Sequence, residues 1–411
     1  MVLENFDALL QKYAHLLVKS GINVQKGHTV VLSVDVEQAQ LARLLVKEAY
    51  KLGAKEVIVK WTDDEVSRET FIHAPQDILT DIPQYKVDES LAHIEKGASR
   101  LSVRSADPDS LKGVDSNKVA AYQSAVGKAL HEQRKATQSN KVSWLVAAAA
   151  GKKWAAKIWP DLTEEEQMEA LWTQIFCAVH LFDEDPVETW KKKDGLLNTK
   201  AEELNKEQFV ALHYSAPGTD LTVGLPEGHL WEGAGSLNAR GERFMANMPT
   251  EEVFTAPDAN RVDGTVVSTK PLSYAGVTIS GMEFTFKDGK VVSVTAEEGE
   301  DVLKKLIETD EGAARLGEAA LVPNESPISM SGITFYNTLF DENASNHLAL
   351  GSAYAFNLQG GTEMSEDELK EAGLNRSNVH VDFMIGSAEM DIDGIRKDGT
   401  RVPVFRKGTW A

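Results

Sequence analysis

The chain has 411 residues, 42% hydrophobic and 26% charged; this exceeds one hydrophobic core and is ordinary for a folded protein, so two domains are expected and extended disorder is excluded. With 43 Lys and Arg against 63 Asp and Glu the formal charge is −20, which repels phosphate backbones and argues against a nucleic-acid partner. One cysteine, Cys177, excludes an intramolecular disulfide and a cysteine-based zinc site; no signal-peptide layout and no run of about 18 apolar residues is present, so a cytoplasmic protein with no membrane span is expected.

In chain order, Asn5 to Lys19 predicts an amphipathic helix, with Leu9, Leu10, Tyr13, Leu16 and Leu17 at helical spacing. His28 to Val36 is β-rich. A helix carrying Leu41, Leu44, Leu45, Ala49 and Leu52 follows, capped near Gly53, and Lys55 to Trp61 is a second strand. Strand, helix and strand with short joints make a βαβ unit and a parallel sheet. Val142 to Ala150 reads as another buried strand. Thr163 and Glu166 fit a capping box before a helix whose apolar face is Met168, Leu171, Trp172, Ile175, Phe176 and Val179. Cys177, placed on that face, reads as a core residue and not a nucleophile.

The character changes after about residue 205. The polar stretch 186–205 bridges two halves, giving an α/β N-terminal domain over 1–205 and an α+β, largely antiparallel C-terminal domain over 206–411. Ala211 to Leu225 predicts a hairpin around Ala-Pro-Gly-Thr. Asp263-Gly264, Asp288-Gly289 and Asp398-Gly399 predict three more turns between strands. Helices are expected over Asp301 to Ala320 and from about Asn343 to Phe356.

Common chemical signatures are missing. There is no G-x-x-x-x-G-K-[ST] phosphate loop, no G-x-S-x-G elbow and no H-E-x-x-H helix. The first strand runs into Asp35-Val-Glu-Gln, without the glycines of a dinucleotide fingerprint.

What remains is a concentration of acids and imidazoles in the second half. Alternation in NVHVDFMI puts His380, Asp382 and Met384 on one strand face, with imidazole and carboxylate about 7 Å apart, and an apolar set on the other. A solvent-facing strand edge is the plain alternative. In FDENASNHLALGSAY, the expected helix would place His347 and Tyr354 on one face, among small and apolar neighbours. A histidine satisfied by a backbone carbonyl explains that segment equally well. Glu251 and Glu252 stand between prolines in NMPTEEVFTAP, as a shaped loop or as a solvated pair. Glu318 stands among small residues in RLGEAALVP, where an ionised carboxylate needs a cation or a partner. Glu252, Glu318, Glu342 and Asp382 supply four negative charges, which two divalent cations would balance, and oxygen and imidazole donors suit zinc, cobalt or manganese.

These four segments resemble the signature segments of the aminopeptidase T / aminopeptidase S family of co-catalytic metallo-aminopeptidases, and the resemblance runs the length of the chain. It implies a metal-dependent aminopeptidase that removes the N-terminal residue from peptides with a free N-terminus, using two divalent metal ions per chain in a homodimer. The metal ligands it implies are Glu252, Glu318, His347, His380 and Asp382, with Glu342 a further one and Glu252 favoured over Glu251. Tyr354 stands near the metals, where it is expected to donate to the oxyanion, and Glu318 is expected to move the proton. A different metal-dependent amidohydrolase, or a phosphoesterase, would use the same ligand types, and a protein storing metal structurally would show uptake without hydrolysis. Few Lys or Arg flank the segments, which counts against phosphorylated substrates.

Overall fold

The first strand–helix–strand run folds as its periodicity dictates. In the computed structural model, which describes residues 3–105 and 107–411, β1 (Thr29–Asp35) leads into the helix Ala39–Lys51. Gly53, at φ +99°, ends that helix in the left-handed region that glycine adopts without strain. The chain returns as β2 (Glu56–Thr62), parallel to β1 from Thr29↔Glu56 to Asp35↔Thr62. Adding β3 (Ser99–Arg104), β4 (Trp144–Ala148) and β5 (Asn247–Met248) completes a parallel sheet of order β2-β1-β3-β4-β5.

Two units divide the chain. The first comprises Met1–Asp115, Ala129–Leu196 and Ala234–Thr250, and the second Ser116–Lys128, Leu197–Gly233 and Glu251–Ala411. In the first, the helix Phe6–Leu16 buries Leu10, Tyr13, Ala14 and Leu16. The Tyr13 ring meets Trp172 and Phe176 edge-on, and its hydroxyl donates to the Ala148 carbonyl at 2.7 Å. Those partners lie on the helix Glu164–Ala178, which begins with the Thr163–Glu166 capping box. Cys177 departs from expectation: it is exposed, one position off the apolar stripe of Leu171, Trp172, Ile175 and Phe176. Desolvation still raises its thiol above the ordinary range. The polar stretch near 186–205 is a helix, Pro186–Glu207. Among the described residues no helix is long and apolar enough to cross a membrane.

The second unit is built on two larger antiparallel sheets sharing a core, beside a two-stranded ribbon of Leu272–Tyr274 and Val277–Ile279. The larger has eight strands, in the order 290–295, 283–287, 262–267, 219–224, 211–216, 391–395, 401–406 and 409–410. The smaller contains β6 (Val253–Thr255), β7 (Leu316–Leu321), β8 (His347–Gly351) and β9 (His380–Met384), in that order. Leu212, Tyr214 and Phe284 of the large sheet join Leu348, Leu350 and Phe383 of the small one in a single cluster, with Phe284 and Phe383 rings 4.6 Å apart.

Hairpins form at Pro217-Gly218, Asp288-Gly289 and Asp398-Gly399 as expected. Asp263-Gly264 is different. Gly264 lies inside the strand Val262–Val267 at φ +123°, where a Cβ would stand 2.1 Å from the Asp220 carbonyl; the glycine serves close approach, not a turn. The helix expected over 301–320 stops early. Glu300–Ile307 is helical, Glu311–Ala314 is a short 3-10 turn capped by Asp310, and 316–321 is β7, buried on both faces. A short, uninterrupted apolar run does not distinguish a buried helix from a buried strand.

Replacing Tyr13 by Phe leaves the Ala148 carbonyl without its donor. The expected loss is about 1 kcal/mol of unfolding free energy, checked by urea denaturation, with the far-ultraviolet circular dichroism of the native state unchanged.

Candidate metal centre

Cross-strand partners in a sheet share a face, and the register of the small sheet places the acids and imidazoles accordingly. Glu318 pairs with Ala349, which pairs with Asp382; Ala320 pairs with His347, which pairs with Met384; Gly351 pairs with His380. Glu318, His347, His380 and Asp382 therefore share one face, over a floor of Ala320, Ala349 and Gly351. The other face carries Leu321, Leu348, Leu350, Val381 and Phe383 into the core. Small floor residues leave the volume above β8 to the longer side chains beside it. Gly351 is required: at φ +104° it is in the left-handed region, and a Cβ would meet the Val379 carbonyl at 2.1 Å. A register shift between Leu316 and Glu318 leaves Gly317 outside the ladder.

Glu252, one residue before β6, completes the cluster. His347 Nε2 is 3.1 Å from Glu252 Oε2 and 3.5 Å from Glu318 Oε1. His380 Nε2 is 3.5 Å from both Glu318 Oε2 and Asp382 Oδ1. Donor atoms thus gather into two groups, Glu252–Glu318–His347 and Glu318–His380–Asp382, each spanning no more than 4.8 Å, with Glu318 common to both. The imidazoles are oriented from behind: His347 Nδ1 donates to the carbonyls of Glu342 (3.0 Å) and Ser345 (3.1 Å), and His380 Nδ1 to that of Ser352 (2.7 Å). That hydrogen bonding turns each Nε2 lone pair to the acids, as a cation ligand requires.

The electrostatics are those of a site with too much negative charge. Burial pushes Glu318 up to about 7, helped by the charges of Asp382 and Glu252 and opposed by His347. Glu342 is raised well above the carboxylate range by burial, then by the charges of Asp382 and Glu252. Burial would lower His380, but the Asp382 charge and then Glu318 raise it to about 9; His347 is likewise raised against burial, by Glu252 and Glu318. Asp382 is held low against burial by the charge of His380. Asp382 Oδ1 is buried with no hydrogen-bond partner. A carboxylate oxygen whose nearest partner is His380 Nε2 at 3.5 Å, two Nε2 atoms aimed inward and hard oxygen donors without thiolate fit divalent cations.

The expected residues converge, but not by the expected local structure. No helix carries His347 and Tyr354. Glu342–Ala344 is a 3-10 turn, His347–Gly351 is β8, and Tyr354 lies in the loop beyond. His-Leu-Ala-Leu-Gly alternates with a period of two, and its paired neighbours on both sides favour the strand. Tyr354 nonetheless reaches the site, its ring 5.0 Å from His380, stacked on Phe356 at 5.1 Å and edge-on to Phe254 at 6.1 Å. Burial, then the charge of Glu318, raises its phenol far above the ordinary value. Glu252, not Glu251, belongs to the donor groups. Glu342 is buried and feels the same charges while standing outside both groups; its Oε1 accepts from Asn343 Nδ2 at 3.4 Å.

Sequence reasoning missed three buried asparagines that brace the site. Asn343 Oδ1 accepts from the Glu251 amide at 2.7 Å while its Nδ2 donates to the Leu339 carbonyl, joining the Glu252 loop to the Glu342 turn. Asn346 Oδ1 accepts from the Val322 amide, and its carbonyl accepts from Ile385 and Gly386. Asn375 Nδ2 donates to the carbonyls of Gly312 and Gly351 at 2.7 Å each. Their sequence neighbours, Glu342 and Ala344, Ser345 and His347, Leu374 and Arg376, give no signal that marks them out.

Known proteins share this arrangement of chain. The profile described as thermophilic metalloprotease (M29) matches residues 6–410. Aminopeptidase PepS of Streptococcus thermophilus is 60% identical over 411 residues, covering all of both chains, and aminopeptidase AmpS of Bacillus subtilis is 52% identical over 409 residues, again covering both fully. The solved structure of wild-type AmpT from Thermus thermophilus superposes with a TM-score of 0.90 at 41% identity, covering 99% of this chain and 100% of that one. With a match of this length, the chain belongs to the peptidase M29 family of metalloproteases and is a hydrolase of that family.

Proposed function

We propose that this metallo-aminopeptidase holds two divalent cations, one among Glu252, Glu318 and His347 and the other among Glu318, His380 and Asp382, with Glu342 beside them, and removes the N-terminal residue of peptides. The observation that carries the reading is Glu318, whose two oxygens each stand 3.5 Å from a different imidazole Nε2; one carboxylate facing two donor groups is suited to a bridge. Zinc, cobalt and manganese all suit the donors. Bound there, the cations supply Lewis acidity, polarising the scissile carbonyl and acidifying a water.

The chain's own residues do the rest. The acidic face attracts the positive amino end of a peptide and disfavours an anionic one. Both Glu318 oxygens are turned to imidazoles, so beside Glu318 the carboxylate outside the two donor groups, Glu342, is a second candidate to take the water's proton and return it to the leaving amine. Tyr354, whose phenol keeps its proton far beyond neutral pH, donates a hydrogen bond to the tetrahedral oxyanion. Stacking on Phe356 holds that phenol in place. Family resemblance further supports a homodimer, with the cytoplasm as its compartment.

Leucine p-nitroanilide and its N-acetyl derivative test the function directly. The free amine is expected to be cleaved and the acetylated amide spared; chelation should abolish turnover and added zinc or cobalt restore it. Equal cleavage of both amides would rule out an exopeptidase.

Ala349 lies in the row between Glu318 and Asp382. Replacing it by Leu fills the space above β8, and bound metal, measured by atomic emission, is expected to fall at least tenfold while the protein remains folded by circular dichroism.

Protons compete with the cations. In the cation-free protein Glu318 titrates at about 7 and His380 at about 9; both are raised, so both hold protons below those values and must release them on binding. Cation affinity is therefore expected to rise as pH is raised from 6 to 9. Calorimetry in buffers of different ionisation enthalpy should register proton release at pH 7.

A further inference from the structure

A fifth buried carboxylate stands beside the centre without joining it. Asp341 is 1% exposed and next in sequence to Glu342, yet it belongs to neither donor group. Its two oxygens are engaged elsewhere: Oδ1 accepts from the Phe335 amide at 2.9 Å and Oδ2 from the Asn337 amide at 3.0 Å. Between those donors Tyr336 sits at φ +54°, in the left-handed region that a bulky residue enters only at a cost.

The helix that follows, Thr338–Asp341, is a single turn, and Asn337 at its N-cap makes no side-chain cap. One turn of helix does not hold itself together. Here its last residue reaches back, with two charge-assisted hydrogen bonds, to the chain just before its first. The amides of Phe340 and Asp341 meanwhile donate to the Asn337 carbonyl at 3.0 and 2.9 Å. Residues 335–341 are thereby closed into a ring, with the Phe335 and Phe340 side chains 4.9 Å apart inside it.

That ring carries half of the metal centre. Glu342 follows it directly, and the Glu342 carbonyl accepts from His347 Nδ1 at 3.0 Å. Asn343 Nδ2 donates to the Leu339 carbonyl, within the ring, at 2.8 Å, while Asn343 Oδ1 accepts from the Glu251 amide at 2.7 Å, one residue from Glu252. Glu252 and His347 are therefore both referred to this one turn. His380 is aimed from elsewhere, by the Ser352 carbonyl just past the other end of β8, and Asp382 stands on β9.

We propose that Asp341 is a positioning residue for one cation of the pair: by closing the 335–341 ring it assembles Glu252 and His347 with Glu318, and it leaves the group of Glu318, His380 and Asp382 to the strands. This rests on the two-cation reading above. A carboxylate suits the task because it accepts from two amides and offers no donor of its own; an asparagine has one acceptor oxygen and would set an NH2 against a backbone N–H.

The test uses the full-length protein, stripped with a chelator and titrated with zinc against a chromophoric competitor. Wild type is expected to take up two zinc ions. In Asp341→Asn one of the two affinities should fall about 10- to 100-fold and the other stay unchanged. Crystals of that variant with one equivalent of zinc should show its anomalous scattering at Glu318, His380 and Asp382. Asp341→Ser, which leaves room for a water to serve the amides, carries the same comparison if the asparagine variant does not fold by circular dichroism. A chain that folds with neither overturns the inference, because Asp341 would then hold the whole unit and not one site. Equal weakening of both zinc ions, no weakening of either, or zinc in the variant crystals among Glu252, Glu318 and His347 overturns it as well. A wild type that binds fewer than two zinc ions removes the two-cation reading, and this inference goes with it.

Discussion

Four carboxylates buried around two imidazoles cannot all stay ionised without added positive charge, and the rest of the second unit is arranged around that constraint. Glu252, Glu318 and Glu342 are nearly inaccessible to solvent, so water cannot supply the missing solvation. Protons answer part of it, which is why Glu318, Glu342 and both imidazoles shift upward. Divalent cations answer it more completely, because each brings two charges to oxygens that are already aimed. A fold that stores this much repulsion without a cation has its stability linked to the cation it takes.

The sheet makes such crowding possible. On a helix, ligands from one element would lie on a curved surface; on adjacent strands they stand in rows set by register. Ala349 and Gly351 keep the middle strand low, and the flanking strands lean Glu318 and Asp382 over it. The same strands bury Leu348, Leu350, Val381 and Phe383 behind, so the site cannot shift without moving the core. Asn343, Asn346 and Asn375 tie the loops between strands by hydrogen bonds to backbone. Amides do this without adding charge to a place that already has too much.

Much of this was legible in the sequence. The βαβ start, the capping box at Thr163 and the hairpin at Asp288-Gly289 follow from local chemistry, and each formed where expected. The alternation around His380 and Asp382 gave the correct face of a strand. The segment around His347 differs from the helical expectation because its period-two alternation, Leu348 and Leu350 against His347, Ala349 and Gly351, spans only five residues, and the strands paired on both sides decide its conformation. Gly264 was misread as a turn for a related reason, since Asp-Gly marks a hairpin only when no other strand lies against it. Cys177 shows a finer limit, where one step along a helix separates core from solvent. The convergence of 252, 318, 347, 380 and 382 is a property of register and packing, which no short window of sequence contains.

The balance of charge also explains how an acidic site can accept a substrate at all. Cations held among the four carboxylates would offset part of their charge, and the overall charge of −20 acts at a distance through screening ions. What a ligand meets on arrival is therefore a local pattern: acids and imidazoles on one face of the strands, with the Tyr354 ring, stacked on Phe356, beside His380. Near the site, the charges that stand within a few ångströms therefore decide what is attracted, and the charge of the whole chain decides little.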